Sequence, residues 1–401
     1  MTPYSRFTPV ALIAAVLLIS GAVHAASAEG LFVRPQVPRS LARAALADLS
    51  KEFWVGTSAS GHLRLDAHEE RPDHGGWEQA QASMAYYWAW KCLGDRQAGQ
   101  RVAAEWTWTK QHAADLNALC LCGHGATLNF ESDDTGWNTG FYLAAYEVTG
   151  DPIALQAAEG SLDCAWLTWW DTSNGGYWYN TKHSSKAMYQ AVLTLDNEWT
   201  YRLTHSATYH QRAIQGERWV VEHLRREDGL YWKGMDQTGR VPEERLRYMI
   251  NPSQSVTMIV GNMAQAVAEV WLFEDTHEAV YLQQAQTTAD AIRRYEVDKG
   301  GVLINDQDCY TDGYAMEAFA HEVLPKLSAA DRAAWRDTFW KSATTIWRVD
   351  HFEDGTFGAD WGGPPKGICW TRKTDPPAPS SKVSISGGAV DVIVAAAVMG
   401  S

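Results

Sequence analysis

The sequence predicts an all-α fold: a single-domain (α/α)6 barrel, a toroid of six helical hairpins. Three observations predict it. A helix–turn–helix scheme recurs along the chain, helices apolar around much of their surface alternate with more charged ones, and a Gly-aromatic segment follows the charged ones. The chain has 401 residues, 46% hydrophobic and 20% charged, which is globular composition with ample material for a large core.

The N-terminus reads as a targeting segment. Arg6 precedes the apolar run "PVALIAAVLLISGAV", and the small residues of "HAASA" follow. Charged region, apolar region and cleavage site stand in the order of a secretory signal, expected to span residues 1–28, with cleavage after Ala25 or Ala28. The apolar run is too short for a comfortable membrane span. The expectation is export to the extracellular space or periplasm, with one domain over 29–401.

The repeats come next. "AWKCLGDRQAGQ" at Ala89, "AAYEVTGDPIALQAA" at Ala144, "WTYRLTHSATYHQRA" at Trp199 and "AEVWLFEDTHEAVYLQQA" at Ala268 share one scheme. Each is the end of a helix, a short polar turn and the start of another. The first intervals are roughly 55 residues, about one helical hairpin with its connections. Trp137, Phe141, Ala144, Ala145 and Val148 fall on one helical face; Gly150 is a natural stop, and Pro152 starts the next helix. Helices predicted to begin near Trp77, Ser185, Ser255 and Tyr310 are apolar or small-residue rich around much of their surface. Those after the turns carry more charge, as in "QRAIQGERWVVEHLRRED". This alternation predicts two concentric rings. The C-terminal "GGAVDVIVAAAVMGS" contains Asp391 and is expected to be the last barrel helix rather than a lipid-anchor tail.

The Gly-aromatic segments are "NGGYWYN" at Asn174, "DGLYWKG" at Asp228, "KGGVLIND" at Lys299 and "DGTFGADW" at Asp354. Gly supplies the positive φ that turns the chain out of a helix, and the following residues favour a short extended piece. About twelve helices fit the length at roughly 30 residues per helix and loop. The Gly-aromatic loops would then gather at one end of the toroid, a natural cleft mouth.

Charge and aromatic content bound the ligand. The net charge of −14 argues against nucleic acid, an anionic membrane surface or a polyanionic substrate, and for a neutral partner. Twenty Trp and sixteen Tyr exceed what the core needs, and flat aromatic faces suit sugar rings. Helix-packed interior is the alternative use for them.

"ESDDTGWNTGFYLAAYEVTGD" starts at Glu131 and places Asp133 and Asp134 side by side at the head of an apolar helix. Such residues cap helices and complement the dipole. They also suit glycoside cleavage, which needs one ionised carboxyl and one that holds a proton. Two adjacent carboxyls repel, so the second proton leaves at a higher pH. Trp137 and Asn138 follow closely and are candidate sugar contacts. Trp178, Trp232 and Trp361, in or near the Gly-aromatic loops, are candidate sugar platforms, with packing under the loops as the alternative.

"DDTGWN" with "YEVTGD", then "NGGYWYN" and "YRLTHS", resembles glycoside hydrolase family 76, the family of α-1,6-mannanases and related wall mannosidases or transglycosidases. The resemblance runs roughly from Trp77 to the C-terminal helix. It implies an (α/α)6 barrel, a retaining mechanism without a catalytic metal, Asp133 as nucleophile and Asp134 as general acid/base. "FGADWGGPP", with Asp360 and Trp361, resembles the family's late Asp-Trp loop. "INPSQSV" and the "YTDGY" around Asp312 depart from the family's usual wording and are expected to line the cleft. The substrate implied is an α-mannan poly- or oligosaccharide, taken without cofactor or membrane anchor by a monomer.

Other constellations are weaker. Asp306, Asp308 and Asp312 in "NDQDCYTD" have a calcium-like spacing without the Gly and terminal Glu of an EF-hand loop. Cys120, Cys122 and His124 lack the second pair that would complete a zinc site. In an oxidising compartment some of the six Cys should pair, in a connectivity the sequence leaves open. Another sugar enzyme on the same toroid, a transglycosidase, an epimerase or an unsaturated-uronide hydrolase, remains an alternative, as does a non-catalytic glycan-binding protein.

Overall fold

The structure, a computed structural model, describes residues 37–67, 76–113, 131–180, 182–240, 258–304, 313–358, 361 and 382–400. The predicted signal segment, the cysteine cluster at Cys120, the "INPSQSV" segment, Asp306, Asp308, Asp312 and Asp360 lie outside the described residues.

Helices α1 (Val37–Phe53), α3 (Arg96–His112), α5 (Pro152–Trp169), α7 (Ala207–Leu224), α9 (Ala279–Tyr295) and α11 (Ala329–Val349) form an outer ring. The inner ring is α2 (Trp77–Leu93), α4 (Ser132–Thr149), α6 (Gln190–Thr204), α8 (Ile259–Thr276), α10 and α12 (Val383–Val398). Helix α10 has three parts: an α turn Met316–Ala318, a π stretch Phe319–Val323 and a 3₁₀ turn Leu324–Lys326. Each inner helix packs on the next, and α12 returns to α2, so the ring closes. Each outer helix packs against the inner helix it is joined to in sequence, and α1 lies against α12.

The two rings follow from the two hydrophobic patterns. In α8 every residue from Ile259 to Leu272 is buried, because an inner helix has neighbours on all sides. In α9 burial is confined to a stripe with Tyr281, Ala285, Thr288, Ala289 and Ile292. Pro325 accounts for the irregular α10. It has no N–H to give, and its ring excludes the carbonyl four residues back, so the helix changes pitch before it.

Inner helices turn into outer ones through one residue in the left-handed conformation: Gly94 (φ 70°), Gly150 (φ 68°), His205 (φ 57°) and His277 (φ 62°). A capping residue follows. Asp95 accepts from the N–H groups of Gln97 and Ala98, and Asp151 from that of Ile153.

Outer helices return to inner ones through the Gly-aromatic segments. Antiparallel bridges Trp170↔Tyr177, Arg225↔Tyr231, Val297↔Leu303 and His351↔Phe357 close each loop on itself. The aromatic or aliphatic residue is buried, and its N–H finds a side-chain acceptor: Tyr177 gives to Gln190 Oε1 and Tyr231 to Asn262 Oδ1, each at 3.0 Å. These loops therefore share one end of the barrel with the N-termini of the inner helices. The hairpin β1 (Trp54–Thr57) with β2 (Ser60–Leu63) follows α1 in the same way.

Three inner helices start later than the sequence pattern suggests. Ser185–Ala187 is a strand, β3, paired with β4 (Gly234–Asp236), and α6 begins at Gln190. Lys186 in β3 is held by Asp171 at 2.8 Å, which favours an extended segment there over another helical turn. Helix α8 begins at Ile259 and α10 at Met316. Cys164 is disulfide-bonded. Cys92 is a free, half-buried thiol pushed up to about 12, chiefly by burial.

Candidate active site

Asp133 and Asp134 occupy the second and third positions of α4, at the loop end of the barrel. The capping residue is neither of them. It is Glu131, which forms a reciprocal capping box with Asp134: the Glu131 N–H donates to Asp134 Oδ2 at 3.4 Å. The "NGGYWYN" loop fixes this entry. Glu131 bridges Asn180, the Ser132 N–H donates to the Tyr179 carbonyl at 2.8 Å, and the Tyr179 hydroxyl donates to Glu131 Oε2.

Asp133 is thereby released from capping. It is 6% exposed, and among the described residues its buried Oδ1 has no hydrogen-bond partner. Burial first, then repulsion from Asp134 and Glu131, pushes its carboxyl well above the usual range; the N–H groups of Asp133 and Asp134 pull the other way. Asp134 is pushed up to about 7, again chiefly by burial, with added repulsion from Glu131 and Glu78. Two acids this close, both raised, keep a proton between them near neutral pH. A site of this kind offers an acid and, once that proton is placed on one partner, an anion on the other.

Glu78 was not legible as a site residue in the sequence. It is the second residue of α2, the helix packed beside α4, and its carboxyl is pushed up to about 7 by burial, opposed by Lys382 and reinforced by Asp66. Lys382 and Asp66 form an ion pair at 3.3 Å. The signal available was positional: Glu78 stands near the start of an apolar helix, as Asp133 does. The Glu78 charge raises Asp134, so Glu78→Gln should lower the pKa of Asp134. If Asp134 is the acid, the alkaline limb of a kcat/KM profile should move to lower pH by up to about one unit. An unmoved limb would separate Glu78 from the pair.

The predicted aromatic contacts are placed differently from one another. Trp137 is 1% exposed and packs edge-on against Tyr314 at 4.6 Å and Tyr189 at 5.8 Å. It forms a floor beneath the acids rather than an open platform. The Asn138 amide donates to the Asp134 carbonyl at 2.8 Å, bracing the first turn. Trp178 stacks on His183 at 5.1 Å and has Lys186 Nζ 4.4 Å from its ring centre. Half-buried Trp232 lies against the Arg226 guanidinium at 4.6 Å, and Trp361 is buried. Trp361 is thus enclosed by packing, whereas Trp178 and Trp232 are half-buried and keep part of their surface exposed. Asp312 and Asp360 lie outside the described residues.

Below the floor the inner ring holds further acids. Asp196, Glu317 and Asp391 are fully buried, and among the described residues no donor lies in good geometry for any of their six side-chain oxygens. Burial holds all three carboxyls well above their usual range, and Glu317 and Asp391 perturb one another. Acids raised on folding bind more protons in the native state than in the unfolded chain. Their stability contribution is complete below the ordinary carboxyl range and falls as pH rises toward the native values. Unfolding free energies from urea titrations should therefore decline as pH rises above the ordinary carboxyl range, with a slope of up to roughly 1.4 kcal/mol per pH unit for each such group. Asp196→Asn should flatten that slope; an unchanged slope would show that Asp196 does not titrate on folding. Among the described residues no group of three or more His, Cys, Asp or Glu is arranged to hold a metal ion. No described helix is long and apolar enough to cross a membrane.

No protein-family model and no curated protein sequence matches the chain. Solved structures do. One is an inactive variant of the α-1,6-mannanase GH76A of Salegentibacter sp. HEL1_6, with two neighbouring aspartates replaced by alanine, in complex with α-1,6-mannotetraose. It superposes with a TM-score of 0.71 at 16% identity over 90% of this chain and 98% of that one. The family 76 mannosidase Bt3792 of Bacteroides thetaiotaomicron VPI-5482 gives 0.64 at 15% identity, over 90% and 98% of the two chains. Cellobiose 2-epimerase from Bacillus thermoamylovorans B4167 gives 0.63 at 12%, over 87% and 95%. The chain has the (α/α)6 barrel fold that these enzymes share.

Proposed function

We propose that the protein is an exported glycoside hydrolase of family 76, an endo-acting α-1,6-mannanase that retains anomeric configuration. One observation carries the reading: two adjacent buried carboxyls, both raised, stand at the head of an inner helix at the loop end of the barrel. The solved mannanase variant that is inactive after loss of two neighbouring aspartates supports it, as does its α-1,6-mannotetraose ligand.

In this mechanism Asp133 attacks the anomeric carbon while Asp134 gives its proton to the leaving oxygen. Asp134 then takes a proton from water, which attacks the same carbon and releases Asp133. The pair holds one proton, and chemistry proceeds from the microstate that places it on Asp134. Burial acts more strongly on Asp133, so its anion is unstable and its negative charge is well spent on an electrophile that removes it. The reversed assignment, with the proton on Asp133, is a second reading that the order of burial favours.

Two measurements test the proposal. Linear α-1,6-mannan should release the α-anomer first by NMR; a β product, or epimerisation without new reducing ends, overturns it. Trapping with a 2-deoxy-2-fluoro-mannosyl fluoride followed by peptide mass spectrometry should label Asp133. Label on Asp134 would exchange the two roles.

A further inference from the structure

A cavity lies on the outer wall, away from the inner helices. Its volume is about 660 Å³, and its lining comes from α1, the β1–β2 hairpin and the start of α3. That volume falls in the range of small-ligand sites. Two features distinguish it from an ordinary surface groove.

The first is a pair of arginines on a chain whose net charge is −14. Arg43, Lys51 and Arg101 line the cavity, against the single carboxylate of Asp95. Asp95 is committed to capping α3, and Lys51 to Glu52 at 2.7 Å and the Asp354 carbonyl at 3.0 Å. Arg43 and Arg101 form no ion pair among the described residues. The buried Arg101 Nε has no hydrogen-bond partner among the described residues. Its guanidinium is held between the rings of Trp54 and Tyr86, at 5.8 and 5.4 Å, so the fork is fixed in place. A planar, oriented guanidinium without an ion pair among the described residues suits a carboxylate or phosphate.

The second feature is the rest of the lining. Trp54 contributes an aromatic surface, and Ser58 and Gln97 contribute groups that bond hydroxyls. A bare inorganic anion would use the charge and leave the remaining volume to water.

We propose that this cavity is a second saccharide site, selecting a sugar that carries a phosphate or carboxylate. It is separate from the acid pair and does not depend on the reaction catalysed there. It would hold a charged decoration of a glycan while the catalytic cleft takes a neutral segment.

Titration calorimetry on the full chain would use mannose 6-phosphate and glucuronate as probes, with mannose and inorganic phosphate as controls. Either charged sugar should bind at least about tenfold more tightly than mannose or phosphate alone. Arg101→Gln should weaken that binding about tenfold or more while leaving hydrolysis of uncharged mannan unchanged. Arg43 is exposed, so Arg43→Gln should fold normally and weaken binding as well, covering the case in which Arg101→Gln misfolds. Absence of saturable binding up to about 20 mM of both charged sugars overturns the proposal. So does binding that both variants leave intact. Equal affinity for phosphate and sugar phosphate would reduce the cavity to an anion site and also overturn it.

Discussion

Asp133→Asn should lower kcat by at least about 10⁴-fold while leaving the far-UV circular dichroism unchanged. The fold survives because Glu131, not Asp133, caps α4, and because an amide fills the same volume as the carboxyl. The variant should also be more stable than the wild type at neutral pH. The buried native pair keeps a proton that the unfolded carboxyls give up at neutral pH. Asn removes that folding cost, by about 1 kcal/mol or more at pH 7, and the gain should vanish near pH 4. Urea titrations at the two pH values measure it. Wild-type turnover in this variant would end the catalytic assignment, and a loss of stability at pH 7 would contradict the electrostatic account. A gain in stability with a loss of function is the usual sign of a strained catalytic group.

Gly140→Ala should cost about 3 kcal/mol of stability and depress activity, although Gly140 touches no expected substrate. A Cβ at Gly140 would collide with the Tyr314 hydroxyl and come within 3.0 Å of its Cζ and 3.4 Å of Asp196 Oδ1. Tyr314 is 2% exposed and packs edge-on under Trp137, so it has little room to retreat without moving the floor beneath the acid pair. Tyr314→Phe removes the colliding atom. The double variant should recover more than half of the lost stability, measured by thermal or urea unfolding. An Ala variant as stable as wild type, or no recovery in the double variant, would refute the close contact. The non-additivity is expected because the two residues touch.

Much of the fold was legible along the chain because helix packing leaves a local periodic trace. All-round apolar runs such as that of α8 must be enclosed, and half-apolar ones such as α9 must lie outside. The turn residues at Gly94, Gly150, His205 and His277 mark where one becomes the other. The start of α6 was not legible. Whether Ser185–Ala187 continues a helix or pairs with Gly234–Asp236 depends on a partner about 50 residues away, whose pull no local pattern records.

The same division runs through the site. By itself the sequence determined the ring of hairpins, the loop end, and the adjacency of Asp133 and Asp134, since each is a matter of neighbours in the chain. Only the tertiary structure decided which acid caps the helix and which is free. It also decided that the Glu78 charge on a neighbouring helix acts on Asp134, that Trp137 is buried, and that Arg101 is oriented by two rings. Burial and Coulomb interactions act through space and depend on what surrounds a charge. The residues that surround these charges meet only when the ring closes.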